Sequence, residues 1–147
     1  MQLVIFVGIQ ATGKSTFFQE KFASSHIHLT LDMLGTRNRE RILFEACLRA
    51  KQPVVIDNTN PTRTEREMYI APALEHSFEV IGYYFRSDLK SALERNQERA
   101  SNVIPEKGIL NTYGKLELPN FDEGFNSLYY VNQTSGTFEV WDWRDEI

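Results

Sequence analysis

The sequence predicts an α/β fold of three layers, with helices covering both faces of a mostly parallel central sheet. Three observations predict it. Short apolar, β-branched runs recur along the chain, and Leu3–Val7 is too continuous for a strand with one wet face. Segments of helical spacing separate these runs, and strand–helix repetition of this kind implies parallel pairing through crossovers. The first run stops abruptly at Gly8, and a helix is expected to start within a few residues of it, at Lys14.

In chain order, Leu3–Val7 is the first strand, and a helix follows from Lys14 to about Ala23 with Phe17, Phe18 and Phe22 facing inward. A short strand over His28–Leu31 precedes a helix over Arg37–Lys51, whose apolar side is read as Ile42, Leu43, Ala46, Leu48 and Ala50. Pro53–Asp57 is another buried strand, ending in polar residues. The next helix starts at Asn60-Pro61 or at the Thr62-x-x-Glu65 capping pattern and runs to about Glu75. Phe78–Phe85 is a fourth strand, and Ser87 or Asp88 caps a helix to about Ala100. Ser127–Val131 closes the alternation, and Thr137–Trp143 alternates enough for an edge strand. The weakest pattern lies between Ser101 and Gly124, rich in Gly and Pro, and reads as either a mobile lid or a loop-rich surface segment.

Composition narrows the partners. The 147 residues fit one domain, 1–147, with a lid region at about 95–124. Sixteen Lys and Arg against 20 Asp and Glu leave a net charge of -4, which argues against a broad polyanion-binding surface but not against a pocket for one phosphate end. The single cysteine, Cys47, suits a reducing compartment and reads as a small buried apolar residue. The apolar start, Met1–Val7, has no basic region or small-residue cleavage site, and no run reaches the length of a membrane span. The expectation is a cytoplasmic protein without a membrane partner. Oligomeric state is not legible.

The segment Gly8-Ile9-Gln10-Ala11-Thr12-Gly13-Lys14-Ser15 has the spacing of a phosphate-binding P-loop. Such a loop turns successive backbone N–H groups toward phosphate oxygens, which favours glycine at strained positions such as Gly8 and Gly13, with Ala11 and Thr12 between them. Lys14 supplies a point charge near the β and γ phosphates, Ser15 a hydroxyl for Mg²⁺, and Thr16 a contact to the α-phosphate. Position between a strand and a helix is the context that separates this motif from a chance match. The fold class is therefore the P-loop NTPase or kinase sandwich with a helical lid, and the expected cofactors are ATP and Mg²⁺. Asn-Lys-x-Asp, a guanine-reading motif, is absent from the sequence. A small phosphotransferase is the leading class.

Two carboxylates fall at predicted strand ends, where ligands of such sheets collect: Asp32 and Asp57. A kinase needs a group to orient the attacking hydroxyl and benefits from a carboxylate in the metal shell. Asp32 takes the first role and Asp57 the second, although the two can be exchanged on sequence alone. Arg95 and Arg99, four residues apart, share a helix face and can answer charge on the transferring phosphoryl group. Arg37, Arg39 and Arg41 form a second basic group, read mainly as a solvated face with Arg41 pairing to Glu45. His26, His28 and His76 have no metal-ligand spacing, Trp141 and Trp143 share one face of the tail as packing residues, and Met33 and Tyr83-Tyr84 read as packing.

With these residues in view, the chain resembles the kinase domain of polynucleotide 5′-hydroxyl kinases. The resemblance rests on Gly8–Thr16, on Asp32-Met33-Leu34-Gly35, on Val55-Ile56-Asp57-Asn58-Thr59-Asn60-Pro61, on Arg95-Asn96-x-x-Arg99 and on the stretch from Ile104-Pro105 to Phe125. It covers about residues 3–131. It implies that Asp32 is the general base and Arg99 the main γ-phosphate contact. Leu31 stands where the family often has arginine before the aspartate, and Gly35 where phage members have another, with Arg37 and Arg39 the nearest substitutes. The function expected is therefore transfer of the γ-phosphate to a hydroxyl, that of a nucleic-acid 5′ end first. A small alcohol (sugar, nucleoside or antibiotic-like) is the alternative acceptor, and a non-catalytic nucleotide-binding module the alternative class.

Overall fold

A computed structural model describes residues 1–99 and 103–144 of the chain. Six strands form one sheet in the order β2-β3-β1-β4-β5-β6. They are β1 (Gln2–Val7), β2 (Ile27–Leu29), β3 (Val54–Ile56), β4 (Glu79–Phe85), β5 (Ser127–Thr134) and β6 (Thr137–Asp142). The first five run parallel, and β6 returns antiparallel along β5 as an edge strand, pairing Tyr130 with Trp141 and Val131 with Val140. The mostly parallel sheet expected from the sequence is therefore present. β1 lies at its centre, with Ile5 level with Ile56 on one side and Gly82 on the other.

Alternation along β1 divides the core into two layers, as successive side chains of a strand must. Leu3, Ile5 and Val7 face α3 (Arg37–Ala50) and α4 (Arg63–Glu75), packing with Phe44, Cys47, Leu48, Tyr69, Ile70 and Ala73. Val4 and Phe6 face α1 (Lys14–Lys21), packing with Phe17, Phe18, Val55 and Phe85. Phe6 lies edge-on to Phe17 and Phe85 at centroid separations of 5.8 and 5.0 Å, the geometry aromatic pairs prefer. The inward Phe17, Phe18 and Phe22 expected of α1 all join this layer, Phe22 half-buried.

The helix limits differ by small amounts for identifiable reasons. α1 ends at Lys21, two residues early, where Phe22 leaves helical geometry. Thr62 caps α4 by accepting from the Glu65 N–H, and Asp88 caps α5 (Leu89–Gln97) by accepting from Ser91. The expected end of α5 at Ala100 lies outside the described residues. A four-residue helix, α2 (Leu31–Leu34), replaces the end of the second expected strand.

Two sequence expectations are corrected. The buried face of α3 is Glu40, Phe44, Cys47 and Leu48, while Ile42 and Leu43 are exposed. Residues 40, 44, 47 and 48 form one stripe at helical spacing, and it includes a carboxylate that Tyr69 and Asn58 partner. The Gly/Pro-rich stretch also contains a helix, α6 (Glu106–Lys115). Its Ile109 is fully buried with Ile9, Ala11 and Ala92, and this packing outweighs the cost of Gly108 and Gly114 in a helix. Trp141 packs within the sheet, as expected, stacked on its cross-strand neighbour Tyr130 while half exposed.

A buried arginine ties the segment after α6 to the rest. Arg66 has no exposed surface and donates to Asn60 O, Glu117 O and both carboxylate oxygens of Glu123. Removing one member of such a pair leaves a buried charge without a partner. Arg66→Met is expected to destabilise the protein by about 3 kcal/mol, read as a lowered urea midpoint at constant slope.

Candidate functional site

The chain leaves β1 to build β2 and β3 on one side of it, then crosses to build β4 and β5 on the other. Loops diverge where such a sheet changes direction, opening a crevice at the carboxyl ends of its strands. Here the crevice has a volume of about 360 Å³ and is lined by Lys14, Ser15, Asp32, Asp57, Asn58 and Arg99, among others. That volume is at the lower end of the range for small-molecule sites.

The loop after β1 forms its floor. Gly8 is not in the lining; its N–H donates to Thr59 O, fastening the loop to the segment after β3. Gly13 has φ 91°, and a Cβ there would meet Gln133 Oε1 and the Phe138 ring at 2.9 Å, so glycine is required twice over. Ala11 also adopts the left-handed region, at φ 62°, a conformation that costs a non-glycine residue about 1 kcal/mol. Its carbonyl accepts from Arg95 Nε at 2.6 Å, and Thr12 Oγ1 donates to Ile9 O. These contacts hold the strained loop in shape.

Lys14, the first residue of α1, donates its amine to Gly8 O and Ile9 O. Burial pushes the amine down to about 8 from its usual range; Asp57 and Asp32 nearby oppose that shift and Arg99 adds to it. Ser15 and Thr16 follow, exposed, on the first turn of the helix.

Strand alternation brings a second group of residues to the same point. Asp57 lies two residues beyond Val55 and so shares its α1-facing side of the sheet. It is buried, accepts from Ser15 Oγ at 2.9 Å, and accepts from His28 Nε2 at 2.7 Å. The His28 ring is stacked on Phe18 with centroids 3.9 Å apart. Histidine spacing gave no hint of this role; the useful signal was that His28 pairs with Val55 across β2 and β3 and therefore faces the same way. Ser15 and Asp57 together present hard oxygen donors, the kind a magnesium ion takes.

Asp32 sits in the first turn of α2, exposed at the crevice mouth. It is not a cap: Thr30 precedes the helix, and Thr36 caps α3. Arg99, just past α5, lines the same crevice. Arg95 does not; beyond its bond to Ala11 it lines a neighbouring recess with Arg86, Asp88 and Gln133. Arg37, Arg39 and Arg41 are engaged by the protein, Arg37 with Tyr69, Glu40 and Glu65, Arg39 with Leu34 O, and Arg41 with Glu45 as expected. Met33, expected to pack, is 69% exposed beside Asp32. Among the described residues, no helix is long and apolar enough to cross a membrane.

The family model described as AAA domain matches residues 28–113. The chain is 27% identical over 135 residues to a bifunctional polynucleotide phosphatase/kinase of Schizosaccharomyces pombe, covering 88% of this chain and 33% of that protein. It is 29% identical over 138 residues to an L-seryl-tRNA(Sec) kinase of Methanococcus maripaludis, covering 80% of this chain and 53% of the relative. The chain thus spans about a third to a half of these relatives. Among solved structures, a sugar kinase from Janibacter superposes with TM-score 0.70 at 16% identity, covering 90% of this chain and 85% of that one. Kti12 from Chaetomium thermophilum, in complex with ADP-AlF3, gives 0.67 at 18% identity, covering 88% of each chain. The fold is that of the P-loop kinases, and the resemblance read from the sequence is borne out.

Proposed function

Because the chain belongs to the AAA domain family and is a P-loop kinase by fold and loop, we propose that it transfers the γ-phosphate of ATP to a polynucleotide 5′-hydroxyl. The observation that carries the proposal is the convergence of Lys14, Ser15, Asp57, Asp32 and Arg99 on one crevice. Phosphoryl transfer asks little covalent chemistry of a protein, so positioning and charge have to supply the catalysis. The nucleic-acid acceptor is supported by the S. pombe relative, whose alignment spans most of this chain.

In this mechanism the N–H groups from Ala11 to Thr16, among them Thr12 and Gly13, cradle the phosphates, and Lys14 places its ammonium beside the β and γ groups. Ser15 and Asp57 hold Mg²⁺, which supplies neutralisation of phosphate charge when bound. His28 keeps the Asp57 carboxylate oriented. Asp32 accepts a hydrogen bond from the attacking hydroxyl and takes its proton as the oxygen–phosphorus bond forms and the bond to ADP breaks. Arg99 faces the charge spread over the transferring group. Arg95 acts through the loop, by holding the Ala11 carbonyl. Burial of Asp57 against exposure of Asp32 supports this division between metal shell and acceptor side.

A small alcohol is the second reading, favoured by one observation: Arg37 and Arg39, the arginines nearest Asp32 in sequence, are turned into contacts with the protein. Salt separates the two. An acceptor held through phosphates should lose affinity on a log–log slope of about −0.7 per phosphate contacted, whereas a neutral alcohol should show a slope near zero. A flat acceptor KM between low and moderate salt would overturn the polynucleotide reading.

A further inference from the structure

Glu40 is a carboxylate on the core side of α3, 2% exposed, beyond the groups assigned to the reaction. Its two oxygens point in different directions. Oε1 accepts from Tyr69 Oη, and Tyr69 Oη in turn accepts from Arg37 Nη1 at 2.8 Å. Oε2 accepts from Asn58 Nδ2 at 2.7 Å. The other end of the Asn58 amide, Oδ1, accepts from the backbone N–H of Leu31 at 2.9 Å. Leu31 is the first residue of α2, and Asp32 is the second.

The order of donors and acceptors along this chain is forced. An ionised carboxylate can only accept, so Asn58 must turn its NH₂ toward Glu40. Its carbonyl oxygen then faces Leu31, where the unpaired N–H at the start of a helix needs an acceptor. With no carboxylate at position 40, the amide could turn over, present its NH₂ to Leu31 and release the start of α2. α2 has four residues, too few to fix its own direction by intrahelical bonds.

We infer that Glu40 is a positioning residue: through Asn58 it fixes the start of α2 and so the direction in which Asp32 faces the acceptor. This rests on the reading of Asp32 as the acceptor aspartate. Tyr69 and Arg37 satisfy the far side of Glu40; Tyr69 also reaches the Asn58 side chain, but the bond to the Leu31 N–H is made by Asn58 alone. Loss of the relay should lower kcat and leave the KM for ATP unchanged, because the phosphate loop lies outside it.

The test compares Glu40→Leu, Tyr69→Phe and the double variant Glu40→Gln with Asn58→Asp, all assayed well below their melting temperatures. The double variant exchanges amide and carboxylate and restores every bond. The new amide at position 40 accepts from Tyr69 through its oxygen and donates through its NH₂ to the new carboxylate at position 58, which accepts from Leu31. Two readouts are taken, turnover and hydrogen exchange at the Leu31 amide. Glu40→Leu should lower kcat about tenfold or more at unchanged ATP KM and speed Leu31 exchange by a similar factor, while Tyr69→Phe stays within about threefold on both. The double variant should recover most of the Leu31 protection; because its new carboxylate at position 58 lines the crevice, it is judged on exchange and not on turnover. Wild-type exchange in Glu40→Leu, whatever its kcat, or a double variant whose Leu31 amide exchanges as fast as in Glu40→Leu, would overturn the inference. Altered exchange with wild-type kcat would overturn it too, by making the network structural. If Asp32→Asn itself turned over normally, the reading of Asp32 would fall, and the exchange pattern would still decide whether Glu40 governs Leu31.

Discussion

Asp32→Asn is expected to lower kcat about a hundred- to ten-thousand-fold while ATP binding changes less than about twofold. The amide keeps the shape of the carboxylate and one acceptor oxygen, so it can still touch the hydroxyl. It can no longer take the proton that leaves as the new bond forms. Because Asp32 is exposed on a short surface helix, the substitution should leave the melting temperature within a degree or so. Loss of turnover would therefore report chemistry and not folding. Steady-state transfer kinetics beside a nucleotide titration check both halves. Turnover near wild type would remove Asp32 from the role of base.

Lys14→Met should abolish transfer, by about a thousandfold or more, since the charge it removes acts most strongly on the transition state. Its effect on stability has the opposite sign. The amine of Lys14 lies at about 8 in the folded protein against 10.5 in the unfolded chain, because burial disfavours the charged form. Between these values the unfolded chain binds more protons than the folded one, so stability rises as pH goes from about 8 to 10.5 and is lost again as pH falls through 8. A shift of this size corresponds to about 3 kcal/mol of penalty at neutral pH. The two bonds to Gly8 O and Ile9 O offset part of it. Lys14→Met is therefore expected to be at least as stable as wild type at pH 7 and to lack this part of the alkaline rise. Urea unfolding at pH 7, 8.5 and 10 measures it, and a variant less stable at neutral pH with the rise intact would contradict the account.

The crevice floor was legible because an uninterrupted apolar run, a glycine-bounded loop and Lys14-Ser15 are each dictated by one local requirement. Asp57 was legible because a buried strand that ends in a carboxylate aims it at the strand-end crevice. Its partner His28 was not, since the pairing of His28 with Val55 depends on register between strands distant in sequence. The buried face of α3 is not legible for a similar reason. Ile42 and Leu43 are as apolar as Phe44, and the choice between them is made by where β1 and α4 lie and by the partners that Tyr69 and Asn58 give to Glu40. α6 was hidden by Pro105, Gly108 and Gly114, all poor helix formers, and is stabilised by Ile109 against residues of the loop and α5. Arg95 and Arg99 share a face on paper, yet the helix ends at Gln97 between them, and they part into different recesses.

The most direct test of the central claim is transfer of labelled γ-phosphate from ATP to 5′-hydroxyl DNA and RNA oligonucleotides with Mg²⁺, beside a Lys14→Ala control. The account predicts label on the oligonucleotide that disappears in the control. ATP bound normally by the wild type, with no label on either oligonucleotide, would contradict it and turn the search to small alcohols.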